Sequence, residues 1–236
     1  MAEVGGRNNA IGDFVRTLRE DRMIQIYVGA IDSDTKPYLV PQSLLETRSK
    51  YFAKALQQDA FREGHEGCLK FPNDDSDAWE VLLFWMIKNT LPDTQDNAHT
   101  MILCWVLGDK YAMPVFQDHA MLELLRTNST QELGFEALKL ALSMSAPGSK
   151  LRKLVAEELV YLANDRAVVD WGSLETMIDG MGILGDYFRA QERYHKDNYV
   201  FHSRLTSSNA HSKKQRAVWT DYMVGEAPAK HWIYDG

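Results

Sequence analysis

Apolar positions in the first quarter of the chain alternate with polar ones, and later positions recur every three or four residues. Met23–Gly29, MIQIYVG, alternates and is rich in β-branched and aromatic side chains, which predicts a strand. Ile31–Pro37 holds Asp32, Ser33 and Asp34 and reads as a turn, after which Tyr38–Val40 is a second short strand, giving a hairpin. Tyr38 and Val40 share one face of that strand, and Leu39 takes the other. Pro41 ends the strand and suits the first turn of a helix. Leu44, Leu45 and Arg48, then Phe52, Ala55 and Leu56, follow at helical spacing and predict two short helices. Arg62–Gly67, with two glycines, reads as a loop, and Cys68–Phe71 as a third strand stopped by Pro72. Upstream, Ile11, Phe14, Val15 and Leu18 give residues 1–22 the spacing of a leading helix.

Asp74, Asp75, Ser76 and Asp77 offer N-caps for the next helix, and Asp77 with Glu80 has the form of a capping box. Trp79, Leu82, Leu83 and Met86 make its inner stripe, with Val81, Phe84, Trp85 and Ile87 filling much of the rest. Such a helix is either covered on several sides or meets a partner with its outer face. After a break at Thr90–Asp96 containing Pro92, helical spacing returns over Asn97–Ala112. Gly108 inside that helix predicts close packing against a neighbour. Pro114 starts a further helix with Phe116, Ala120 and Leu124. The core is expected to hold Val40, Leu44, Phe52, Leu83, Leu107 and Phe116.

Past Asn128 the spacing is helical throughout. Ser129 with Glu132 is a second capping-box candidate, before a helix bearing Phe135, Leu138, Ala141 and Leu142. Ala146–Ser149 breaks it. Leu151, Leu154, Val155, Leu159 and Leu162 define another helix, Leu174–Ile178 a short one, and Ile183–Tyr194 a last one. His202–Arg216 has the composition of a disordered linker. The end regains Trp219, Tyr222, Met223, Trp232, Ile233 and Tyr234, which either pack back or await a partner.

Composition narrows the function classes. With 45% apolar residues and no apolar run near the ~20 residues of a membrane span, no membrane crossing is expected. The first residues lack the pattern of a secretory signal, so a cytoplasmic or nuclear location is expected. Two cysteines are too few for a disulfide framework or a four-cysteine zinc site. The net charge of -7 opposes attraction to phosphate backbones, making nucleic acid an unexpected partner and protein the expected one.

Candidate chemistry is sparse. Gly180, Gly182 and Gly185 spell a dinucleotide-type glycine pattern, but helical sequence precedes it and Leu205 stands where a ribose-binding acid belongs, so a helix-to-helix turn is expected. Asn73, Asp75 and Asp77 have the spacing of a calcium loop without its glycine or its bidentate glutamate. His65 and Cys68 lack a second pair at zinc spacing. No nucleophile motif, metal site or cofactor site is read. Lys213, Lys214 and Arg216 form a basic cluster read as a solvated linker, with a nuclear address as the alternative. Trp85 and Trp105 are read as core, with partner anchors as the alternative.

The segment Lys36–Leu56, with Leu44, Leu45, Ser49, Tyr51 and Phe52, resembles the signature of the BTB/POZ domain, a strand leading into a two-helix hairpin. Leu103–Met113 resembles that family's Leu-Ala-Asp-Lys-Tyr run before a proline-started helix, with Gly108 replacing the alanine. Phe71–Ile87 resembles its strand, acidic turn and apolar helix. The resemblance covers about Met23 to Arg126.

It implies an α+β fold, BTB/POZ at residues 23–126, after a leading segment at 1–22. An all-α extension similar to the BACK region is expected at 127–201, and a linker and tail at 202–236. The implied function is a non-catalytic protein-interaction module, a homo-oligomer or an adaptor. A cullin ligase scaffold is a possible partner and a channel-type or Skp-like subunit another reading. A small enzyme using the turn at Gly180–Gly185 is the reading from a different class. The expected partner-binding residues are Phe84, Trp85, Ile87, Lys88 and Pro92, because the family places ligase-scaffold contacts on that helix and turn. The chain departs from the family at Pro41, where many members carry histidine. It departs again at Ile87–Thr90, where a Tyr-x-Gly turn and an acid are usual.

Overall fold

Burial follows the alternation along Met23–Val28 (β1): Ile24, Ile26 and Val28 are buried while Met23 and Gln25 are exposed. The computed structural model describes residues 19–30, 35–57, 61–92, 97–130, 133–164, 171–196 and 220–225, with Gly12 and Asp32 as isolated positions. Ile11, Phe14, Val15 and Leu18 of the expected leading helix, the linker at 202–216, and Trp219, Trp232, Ile233 and Tyr234 of the tail lie outside these residues.

Strand β1 pairs antiparallel with Tyr38–Pro41 (β2), Ile24 opposite Val40 and Gln25 opposite Leu39. It pairs parallel with Cys68–Phe71 (β3), so the sheet order is β2-β1-β3. Pro41 remains in the strand, opposite Met23, and also occupies the N-cap position of the helix that follows, with no side-chain cap bond. Helices Gln42–Arg48 (α1) and Lys50–Ala55 (α2) meet at Ser49, whose Oγ accepts the Phe52 amide at 3.1 Å as the N-cap of α2.

Arg62–Glu66 is a short helix (α3), where a loop was expected. Gly67 closes it in the left-handed conformation, φ 68°. The Arg22 guanidinium supports this turn by donating to the Gly64 and His65 carbonyls at 2.6 and 2.7 Å.

The helix expected from Asp77 starts one residue earlier, Ser76–Lys88 (α4). Its cap is Asp75, accepting from the Ala78 amide at 2.9 Å, in place of the box at Asp77. Ala78, Trp79, Leu82, Trp85 and Met86 are buried along it.

The described chain separates into two compact units. The first is residues 1–89 with Tyr111–Met113; the second is 90–110 with 114–236. In the first, an aromatic cluster fills the core. Phe71 stacks on Trp79 at 4.9 Å between centroids, Phe52 on Tyr111 at 5.2 Å, and Phe71 meets Tyr111 edge-on at 5.1 Å. Each such pair adds about 0.5–1.5 kcal/mol beyond burial.

The second unit is helical: Ala98–Lys110 (α5), Pro114–Thr130 (α6), Phe135–Met144 (α7), Lys150–Asn164 (α8), Trp171–Gly180 (α9) and Leu184–Lys196 (α10). A 3-10 turn at Thr220–Tyr222 ends the described chain's regular structure. The architecture is therefore mixed α+β, with the sheet confined to the first unit. The expected boundary at Arg126 falls inside α6, and Ser129 is in that helix instead of capping the next, which begins after Gly134. Gly108 fits the close packing expected of it: a Cβ there would lie 2.8 Å from Gln117 Cβ on α6.

Helix α8 is buried nearly all round, including Arg152, Glu157 and Glu158. Of the expected core set, Val40 and Phe52 are buried in the first unit and Leu107 and Phe116 in the second. Leu44 and Leu83 are only half-buried, because Leu45 and Leu82 turn inward in their place.

Candidate functional site

One face of α4 is left uncovered. Asp77, Glu80, Phe84, Ile87 and Lys88 are all exposed, and their spacing of three and four residues sets them along one stripe. Phe84 retains 39% and Ile87 69% of its surface, so the stripe is acidic at the helix start and apolar, then basic, at its end. Near the acidic end Tyr38 donates its hydroxyl to Glu80 at 3.1 Å; burial, and then that carboxylate, hold the phenol pKa above its ordinary value. The helix stops at Asn89, which adopts the left-handed conformation at φ 57°.

Trp85 does not belong to this surface. It keeps 1% exposure, and the Arg48 guanidinium covers it with Cζ 5.2 Å from the ring centroid. Arg48 also donates to Asn89 Oδ1 at 2.8 Å. Pro92 is half-buried and lies in the second unit. The structure thus brings together Phe84, Ile87 and Lys88 of the five expected residues. Trp85, read both as core and among the partner-binding residues, is a core residue and leaves the latter set, because its position, one step past Phe84, rotates it about 100° inward. Trp105 is likewise buried, at 2%.

Sequence reasoning passed over a second apolar surface. On the outer face of the sheet Met23 keeps 48% and Leu39 59% of its surface, with Gln25 between them across the β1–β2 register. The signal was present in the alternation that sends Val40 inward and Leu39 outward.

An open cavity of about 460 Å³ lies between α2, α3 and β3, walled by Tyr51, Phe61, Lys54, Arg62, Cys68 and Lys70. Several groups with shifted pKa lie elsewhere. Burial, then Asp74, pushes the Tyr111 phenol far up; burial, then Arg126, pushes His119 down to about 4; burial raises Asp118 and Glu157.

The acidic turn before α4 is used structurally. Asp74 Oδ2 accepts the Trp79 indole N–H at 2.9 Å and the Tyr111 hydroxyl, while Asp75 caps α4. Among the described residues no group of three or more His, Cys, Asp or Glu side chains is arranged to hold a metal. Gly180, Gly182 and Gly185 lie at the α9–α10 turn, with Gly182 at φ 62°, and the Met181 carbonyl between them accepts from Arg152 Nη2 at 2.5 Å. A helix precedes this turn where a phosphate cradle needs a strand. No described helix is long and apolar enough to cross a membrane.

No family model matches the chain, and a search of curated proteins finds no match.

Proposed function

We propose that the chain is a non-catalytic protein-interaction module of BTB/POZ type that self-associates through the outer stripe of α4. The observation that carries this reading is the pair of exposed apolar side chains, Phe84 and Ile87, one turn apart on a helix whose other face is buried in the first unit. Exposed apolar side chains set in a polar rim mark interaction sites. Asp77 and Glu80 at one end and Lys88 at the other supply that rim, and in an antiparallel pairing of two such helices they also supply opposite charges. The arrangement of hairpin, helix pair and aromatic cluster, in which Ser49, Phe52 and Tyr111 are neighbours, supports the BTB/POZ reading.

Light scattering at micromolar concentration tests it. The wild type is expected above monomer mass and Ile87→Asp at monomer mass, with the variant still folded by circular dichroism because residue 87 is exposed and its melting temperature lower only by the lost association. Trp85→Asp serves as the packing control, with a large fall in melting temperature from a buried unpaired charge. A monomeric wild type, or an Ile87→Asp variant that associates as the wild type does, would defeat the proposal.

A further inference from the structure

In the second unit the last described residues lie across α6 and α8. Tyr222 is 1% exposed and Met223 8%, while Val224 turns outward at 40%. The Tyr222 hydroxyl donates to Glu157 Oε2, and the Lys153 ammonium sits 4.4 Å from the centroid of its ring. Lys150 Nζ donates to the Asp221 carbonyl at 2.7 Å. Asp118, itself 2% exposed, accepts two successive amides, Val224 at 2.6 Å and Gly225 at 2.9 Å. A Cβ at Gly225 would come within 2.6 Å of Asp118 Oδ2, so a larger residue there requires that carboxylate to shift.

These contacts have the form of peptide recognition. Three of the bonds go to main-chain atoms and would be offered by any chain in this conformation. Selectivity resides in two places: a pocket for tyrosine, with Glu157 for the hydroxyl and Lys153 for the ring face, and a position three residues on that favours glycine, because a Cβ there would crowd the Asp118 carboxylate. Glu157 is held from its other side by Arg193, whose Nη2 is 3.0 Å from Oε1, so the carboxylate is fixed whether or not Tyr222 is in place. The occupying segment is five residues, 221–225, joined to α10 through residues 197–220.

We propose that α6 and α8 form a recognition site for a linear segment of another protein with the sequence tyrosine, apolar, any residue, glycine, and that residues 221–225 occupy this site in cis as a removable clasp. A tethered occupant competes at an effective concentration on the order of millimolar, so the wild type is closed to weak ligands and opens when the clasp is displaced. The site lies wholly in the second unit and does not depend on the α4 surface.

Fluorescence anisotropy with a labelled peptide of residues 218–227 as probe tests this on full-length protein. Two variants open the clasp by different means: Tyr222→Ala removes the anchor, and Gly225→Leu forces the main chain off Asp118. Saturable binding is expected to both, and binding about tenfold or more weaker to the wild type, as an intramolecular competitor requires. A probe carrying Tyr222→Phe should bind Tyr222→Ala protein more weakly, and a probe carrying Gly225→Leu should not bind. Adding Asp118→Ala to the Tyr222→Ala protein should abolish capture of the unaltered probe. Circular dichroism reports whether each variant is folded. The proposal is overturned if a folded opened variant fails to bind, if the wild type binds equally well, or if both opening variants unfold, which would make the segment an integral part of the core.

Discussion

Ser49 Oγ donates to the Tyr111 carbonyl at 2.6 Å while accepting the Phe52 amide, so one hydroxyl caps α2 and ties down a segment 62 residues away. Ser49 is 1% exposed, and the Tyr111 ring stacks on Phe52 immediately beside it. Ser49→Ala removes the cap and leaves a buried carbonyl without this donor. A loss of about 1–3 kcal/mol in urea unfolding is expected. An unchanged midpoint would show that the bond carries no weight.

Gly108→Ala tests two opposed effects. Helix propensity favours alanine by about 1 kcal/mol. Against it, the new Cβ would stand 2.8 Å from Gln117 Cβ and 3.0 Å from the Gln117 backbone on α6, where little can move aside. Overpacking costs of about 1–3 kcal/mol outweigh the propensity, so net destabilisation is expected. A melting temperature above wild type would reverse the ranking.

Arg152 is 5% exposed and donates to Leu142 O at 3.4 Å, Ser145 O at 3.2 Å and Met181 O at 2.5 Å, with Nε 3.3 Å from Asp186. The carbonyls belong to the C-terminal ends of α7 and α9, where a cation is favoured by the helix dipole. Arg152→Ala leaves Asp186 with the exposed Arg189 alone and should cost about 3–5 kcal/mol. Arg152→Lys should restore little, because one ammonium cannot span the fork. Guanidinium unfolding of the three proteins measures both effects.

Stability should also fall in mild acid through His119. Its folded pKa lies near 4, lowered by burial and then by Arg126, against an unfolded value near 6.5. The unfolded chain therefore binds the proton first. The contribution is whole above about pH 6.5 and is lost as pH falls toward 4, amounting at most to a few kcal/mol. Asp118 and Glu157, raised by burial, act with the opposite sign, gaining stability as pH falls. The slope attributable to His119 is the difference between wild type and His119→Gln, measured by urea unfolding from pH 7 to pH 4.5. Parallel profiles would refute the assignment.

What was legible in the sequence was local. Alternation in Met23–Val28 set a strand with one dry face, Pro41 marked where extended chain becomes helix, and Gly108 announced a close approach. These signals arise within one or two turns of chain, where sterics and capping operate. The three strands were foreseen within a residue at their ends, and the tail was left open between packing back and awaiting a partner; Tyr222 and Met223 pack back. Periodicity did not choose between adjacent apolar residues. Leu45 over Leu44, Leu82 over Leu83, and Trp85 inward beside Phe84 outward were settled by which side of each helix met other elements. The partners of Asp74, Arg152, Asp118 and Glu157 were not readable either, since a charged residue in a turn or helix reads as solvated until its neighbours are known. Tertiary structure alone brought those groups together, because burying a charge is tolerable only where groups distant in sequence converge to satisfy it.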